Sequence, residues 1–270
     1  GLAPPDPNWT IDDFALYARR MTNPQRGFIG VDAASSLSNS AGSLGWMYNF
    51  TGHYWVDPHT RDVHVDDPGM IQMLEYWLEL QNVYEAASGY TIPRPAGGVR
   101  GGLIGMYETW STEPHFLATL TSAEDFRWEL ATFPVGPVSD SHFAQGHLWS
   151  IPFNHPNPAA AWKFVEYLGS YRAEELWAKL QRTPPQVQDP ELWEMYFGDV
   201  PPGEREQLIR FILNDLYAAG RARTFTYWTE FAEMEVLTRQ AIDRVMRQQE
   251  SPTAVMENLA RTFRALLGGR

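Results

Sequence analysis

Short apolar runs alternate in this 270-residue chain with longer segments whose apolar residues recur every three or four positions. That alternation restricts the fold more than any other feature. Gly27-Phe-Ile-Gly-Val31 is too short for a helix and has no polar face, so it reads as a buried strand. Further strands are expected at about 103–109, 128–134 and 147–153. Between them lie helices with recognisable starts. Thr10 and Asp13 have capping-box spacing ahead of Phe14, Ala18 and Met21, predicting a helix over about 11–21. Asp67-Pro68 is an N-cap with proline at the first helical position, followed by Met70, Met73, Leu74, Trp77 and Leu80 on one stripe. Asn157-Pro158 opens another helix, with Ala161, Phe164, Val165 and Leu168 expected inward. Helices follow at about 172–181, 190–197, 203–219, 226–248 and 252–267, the last capped at Ser251-Pro252 and ended by Gly268-Gly269. Asp32 to Ser43 reads as a Ser/Ala/Gly/Asn loop and Trp46 to Phe50 as a helical or partly buried piece. Strands interleaved with helices make the class α/β, with parallel members in the sheet.

Composition narrows function. The 33 acidic against 21 basic residues give a net charge of −12, which disfavours nucleic acid and anionic membrane surfaces as partners. With no cysteine there are no disulfides, thiolate metal sites or Cys nucleophile. No apolar run approaches the length of a membrane span. His59 and His64 flank Asp62 in a turn and strand, without the helical pairing of a metal site. No Gly-rich phosphate loop, G-x-S-x-G or H-E-x-x-H is present. The 11 tryptophans stand out, because the apolar face of a sugar ring stacks on an indole. One stretch, Gly102-Leu-Ile-Gly-Met-Tyr-Glu-Thr-Trp-Ser111, delivers a carboxylate, Glu108, and an indole, Trp110, to the carboxyl end of a strand.

Several stretches, in order, carry a resemblance. Pro7-Asn-Trp-Thr-Ile-Asp-Asp-Phe14 with Arg20-Met-Thr22, Val65-Asp-Asp-Pro68, Gly101 to Trp110, Phe133-Pro-Val-Gly-Pro137, Asn157-Pro-Ala-Ala-Ala-Trp-Lys-Phe-Val-Glu-Tyr-Leu168 and Ser251-Pro-Thr-Ala-Val-Met256 are the landmarks. Their order and spacing resemble the extracellular solute-binding proteins of bacterial ABC sugar importers, the maltose-binding-protein-like family. Gly105 stands where that family has Ala before Met, and the run at 97–100 replaces its Phe. The resemblance implies a periplasmic-binding-protein-like (type II) two-lobed fold, entered about a third of the way along. The expectation is therefore one lobe nearly complete, residues 1–142 and 188–270, and a remnant of the other, residues 143–187. The missing N-terminal third would carry the signal peptide and any lipid anchor.

The same resemblance implies a periplasmic or extracellular monomer that binds a carbohydrate in a cleft and works with ABC transporter permease subunits, without nucleic acid, metal or cofactor. It places the strand ends at that cleft. Trp110 becomes a stacking platform and Glu108 an acceptor for hydroxyls. Asn39 and Ser40, in the segment after the first strand, are candidate hydroxyl partners. Trp46 is a further candidate, with the lobe core as its competing position. His147, at the re-entry to the second lobe, and Tyr227 and Trp228, ahead of a long helix, complete the set. The rival function is a glycoside hydrolase or other carbohydrate-active enzyme, which requires two carboxylates across the scissile bond. Glu108 and Glu113 lie near Trp110, but no second acid is visible on another strand end.

Overall fold

Thr10 starts the first helix through its spacing from Asp13. The Thr10 N–H donates to Asp13 Oδ2 at 2.8 Å, and the Asp13 N–H donates back to Thr10 Oγ1 at 3.3 Å. The Thr10 N–H and the Thr10 hydroxyl, which donates to Asp13 Oδ2 at 2.9 Å, hold the Asp13 carboxyl below its ordinary range. Helix α1, Ile11–Met21, then buries Phe14 and Ala18. The computed structural model describes residues 2–99, 101–108, 131–144, 149–180, 185, 189–198, 220–224 and 228–268, without the side chains of residues 40, 41 and 144. The expected helix at 203–219 lies outside the described residues.

A chain reversal leads to β1, Ile29–Asp32, fully buried. Helix α1 lies so close to β1 that a Cβ at Gly30 would stand 2.0 Å from the Ala18 carbonyl oxygen. Strand β2, Ala87–Ser88, and strand β3, Ile104–Met106, flank β1 in the order β2-β1-β3, both parallel to it. Val31 faces Met106, so the residues after β1 and β3 emerge side by side.

Between β1 and β2 the segment expected to be a loop is helical. Helix α2 spans Ala33–Leu37 and helix α3 spans Ser40–Thr51. The reason is packing rather than an apolar stripe. Ala33, Ala34, Ser36 and Ser43 are small and buried, and Gly42 lets α3 approach the Ser36 carbonyl, where a Cβ would stand at 2.1 Å. Helix α4, Pro68–Asn82, follows its expected cap and stripe, with Asp67 Oδ1 accepting from the Gly69 N–H at 2.8 Å and Met70, Met73, Leu74, Trp77 and Leu80 buried.

The chain divides into two compact units, one of residues Gly1–Glu108, Ala131–Gln145 and Asp215–Arg270, the other of Thr109–Leu130 and Gly146–Asn214. The first unit holds the three-stranded sheet and its core. That core joins α1, α3 and α4 to helix α8, Phe231–Met246, and helix α9, Pro252–Gly268. Helix α8 starts later than the expected 226, because residues 229 and 230 form a turn before it. A second sheet pairs β4, His142–Ala144, with β5, Ala222–Thr224, in parallel.

The strand expected at 128–134 is not formed at 131–134; Val135 makes one bridge, to Thr10. Residues 149–153 run as coil and turn, so the strand expected at 147–153 is not formed there either. Trp149 and Phe153 in that stretch are both exposed.

The second unit contains α5, Pro158–Leu168, α6, Tyr171–Lys179, and α7, Pro190–Phe197. Helices α6 and α7 pack on each other and bury Ala173, Ala178, Leu192, Tyr196 and Phe197. Helix α5 has its expected Asn157 cap but buries none of its residues. Of the four expected inward, Ala161, Val165 and Leu168 are half-buried, and Phe164 is exposed together with Trp162 and Tyr167.

Candidate functional site

Parallel strands end together, and ligands of open α/β sheets collect beyond their carboxyl ends, at the point where successive connections leave in opposite directions. Here that point is β1 against β3, since the chain passes from β1 to β2 on one side and returns to β3 on the other.

Asp32 is the last residue of β1 and is 2 % exposed. Arg94 closes over it, with Nε 2.9 Å from Oδ1 and 2.8 Å from Oδ2. The guanidinium is half-exposed, so one pole of this pair is in the protein and the other at the surface. Beyond β2, Gly89 passes directly over Asp32; a Cβ there would stand 2.9 Å from Oδ1, and its φ of +110° suits glycine. Tyr90 follows, its phenol pushed up by burial and by the Asp243 and Asp32 carboxylates.

Glu108 lies two residues beyond Met106, the last residue of β3. The residue is half-buried, and its carboxyl is desolvated. The Trp46 indole Nε1–H donates to Oε2 at 3.1 Å, and the Ser36 side chain supplies a second hydrogen bond. Burial outweighs both bonds and pushes the acid up to about 7. A Cβ on Gly42 would stand 3.1 Å from Oε1, so glycine at that position leaves the carboxyl its room.

The sequence-predicted residues are distributed unevenly around this cluster. Glu108 lies in it. Trp46 is 1 % exposed, with its ring 4.8 Å from Trp77, 5.2 Å from Phe14 and 4.7 Å from Phe133, and reaches the cluster only through its N–H. Asn39 caps α3, its Oδ1 accepting from the Gly42 N–H at 2.7 Å and its Nδ2 donating to the Ser35 carbonyl at 2.8 Å. The Ser40 backbone opens α3, and its side chain lies outside the described residues. Trp228 is half-buried, its ring 4.9 Å from Phe231 and its Nε1–H directed at Met234 Sδ. Trp110, Glu113, His147 and Tyr227 lie outside the described residues.

Sequence reasoning missed Asp32, Ser36, Tyr90 and Arg94. An acid directly after the apolar run ending at Val31 was a usable signal for Asp32; the Arg94 contact spans 62 positions and had none. Among the described residues no group of three or more His, Asp or Glu side chains could hold a metal ion. His64 instead stacks on His53 at 4.3 Å. The arrangement is a set of fixed donors and acceptors around strand ends, suited to a ligand that both gives and takes hydrogen bonds.

A family profile described as bacterial extracellular solute-binding protein matches residues 3–196. Comparison with the curated proteins finds no match. Among solved structures the chain is similar to the ABC substrate-binding protein Lmo0181 of Listeria monocytogenes in complex with cycloalternan, with a TM-score of 0.77, 13 % identity, and 99 % of this chain covering 66 % of that one. It is also similar to a solute-binding protein of Thermotoga lettingae bound with α-D-tagatose, with a TM-score of 0.72 and 15 % identity over 99 % of this chain and 67 % of that one. A maltose/maltodextrin-binding domain of Bdellovibrio bacteriovorus bound to maltotriose gives a TM-score of 0.71 and 15 % identity over 98 % of this chain and 68 % of that one. The chain therefore spans about two thirds of the length of these structures, and its fold is periplasmic-binding-protein-like with part of the architecture represented.

Proposed function

The chain belongs to the bacterial extracellular solute-binding proteins, and from that premise we propose that it is the carbohydrate-capturing component of an ABC importer. It holds a sugar, an oligosaccharide or a related polyol without transforming it and delivers it to permease subunits, as a monomer outside the cytoplasmic membrane. The observation that carries this reading is the pair of strand ends: Asp32 bound by Arg94 after β1, and Glu108 held by Trp46 and Ser36 after β3. The first pair is charge-balanced and the second acid sits in a desolvated place, so the cluster suits a neutral ligand rich in hydroxyls. Sugars in the similar structures point the same way. Trp110, Asn39, Ser40, His147, Tyr227 and Trp228 remain proposed contacts, Trp110 by stacking. Residues 1–142 and 188–270 are proposed as one lobe and 143–187 as part of the other.

Among the described residues no helix is long and apolar enough to cross a membrane. A lipid anchor on a preceding segment is part of the proposal. The test is calorimetric titration of the folded chain with maltose, maltotriose, α-D-tagatose and ribitol, alongside an assay with chromogenic glycosides. Saturable binding of at least one solute, with no turnover, is expected. Turnover abolished by Glu108→Gln would replace this reading with the hydrolase, and a folded chain that binds none of the four would remove it.

A further inference from the structure

We propose that Ser36 and Trp46 are positioning residues of this site: the hydroxyl and the indole N–H hold the Glu108 carboxyl as an acceptor, so that solute capture and release of the Glu108 proton are one event. The positioning part stands on the fold alone, and the coupling part rests on the solute-binding reading.

The geometry is asymmetric. Protein donors reach the carboxyl from α3, through Trp46 Nε1–H at 3.1 Å from Oε2, and from α2, through Ser36. Both residues are 1 % exposed, so neither donor is free to turn to water. Trp46 is held in place by Phe14, Trp77 and Phe133, which makes its N–H a fixed dipole. Gly42 lets the Ser36 backbone and the Glu108 carboxyl both come close to α3; a Cβ there would stand 2.1 Å from the Ser36 carbonyl oxygen and 3.1 Å from Oε1. Two fixed donors stabilise an anion, yet desolvation outweighs them and the acid stays protonated at mildly acid pH.

A solute hydroxyl donating to the carboxyl makes a stronger bond to the ionised form than to the neutral acid. That bond tips the balance: the O–H bond of the carboxylic acid breaks, its proton leaves to water or buffer, and the carboxylate keeps the electron pair that accepts the solute. The ionisable residues on neighbouring described elements are Asp32 on β1 with Arg94 over it, Asp12, Asp13, Tyr17, Arg19 and Arg20 on α1, Tyr48 on α3, and Glu75, Tyr76 and Glu79 on α4. None of them is among the causes that shift Glu108, which are burial and its two hydrogen bonds. Linkage then sets the sign. Solute binds the form that has lost a proton, so affinity rises with pH up to about 7 and levels above it.

Two measurements on the full 270-residue chain test this. Difference infrared spectroscopy follows the protonated-carboxyl C=O band without solute, and Glu108→Gln identifies the band by deleting it. Ser36→Ala and Trp46→Phe, checked for folding by circular dichroism, are expected to move its midpoint upward by about half a pH unit or more each, since each removes a donor to the anion. An unmoved midpoint in both folded variants overturns the positioning role; Ser36→Ala alone decides if Trp46→Phe does not fold. Calorimetry with maltotriose and α-D-tagatose at pH 6, in two buffers of different ionisation enthalpy, counts protons. Release approaching about one proton per solute, absent in Glu108→Gln, is expected. Binding with equal heats in both buffers overturns the coupling while leaving solute binding intact. A folded chain that binds neither sugar overturns the coupling, and one that also binds neither maltose nor ribitol removes the reading it rests on.

Discussion

The indole N–H of Trp46 donates to Oε2 of Glu108 at 3.1 Å, and this bond ties the aromatic centre of the first unit to the end of β3. One side of Trp46 is packing, the other is polar chemistry. Changes in the core are therefore felt at the strand ends, and several consequences are measurable.

Glu108 and His142 impose opposite pH slopes on stability. Glu108 is raised from 4.5 to about 7, so the native state holds a proton that the unfolded chain has lost; this contribution is complete below 4.5 and disappears as pH rises through about 7. His142 is lowered from 6.5 to about 3 by burial and by the Arg221 charge, so its contribution is complete above 6.5 and is lost as pH falls toward about 3. Denaturant melts of Glu108→Gln should lose the fall between pH 5 and 7 and gain about 1–3 kcal/mol over the parent at pH 8. His142→Gln should flatten the acid limb instead.

Arg94→Ala leaves the Asp32 carboxylate in a place that is 3 % exposed without its cation. A loss of about 1–2 kcal/mol is expected, below the figure for a fully buried pair because Arg94 is half in water. Adding Asp32→Asn should recover part of that loss, and a double-mutant cycle by chemical denaturation reads the coupling. Strictly additive single effects would show that the two side chains do not interact in solution.

Gly30→Ala tests how tightly α1 lies on β1. A methyl group would meet the Ala18 carbonyl oxygen at 2.0 Å, and backbone has to move to admit it. Destabilisation of about 3 kcal/mol or more is expected. A thermal midpoint equal to that of the parent would mean that α1 sits further from the sheet.

Thr10→Ala removes one half of the capping box and should cost about 1 kcal/mol, whereas Thr10→Ser should cost much less. Comparing the two melts separates the lost hydroxyl from the lost methyl.

Trp77→Ala empties a site with no solvent exposure, where Trp77 meets Phe14 and Trp46 edge to face. The expected loss is about 3–5 kcal/mol. Near-ultraviolet circular dichroism of the same variant should change at the Trp46 environment as well, since the two rings share a contact.

Local signals carried much of the fold. Thr10, Asp67, Asn157 and Ser251 announce helix starts because capping depends on residues two or three positions away. Strand β3 was legible because Leu103, Ile104 and Met106 fall in a short apolar run with a β-branched member. Helix α2 and the start of α3 were not, because their contribution to packing is smallness: Gly42 and Ser36 let backbones meet, and neither marks an amphipathic face, whereas the Trp46 to Phe50 part of α3 was readable as a helical or partly buried piece. Strands β4 and β5 are three residues each and pair across a long sequence separation, so neither shows an alternation of its own. At the site, Glu108 was visible from its position on the strand, while Ser36 and Arg94 are partners that only the folded chain brings near.

Helix α5 has one more consequence. Trp162, Phe164 and Tyr167 stand 60 %, 62 % and 43 % in water on a single three-turn helix. Concentrated solutions of the chain will be sticky along that helix, with molecules clinging through rings rather than through charges. Trading the three for lysine, glutamate and glutamine should keep such solutions clear for longer, and the strand ends of the first unit would be left untouched.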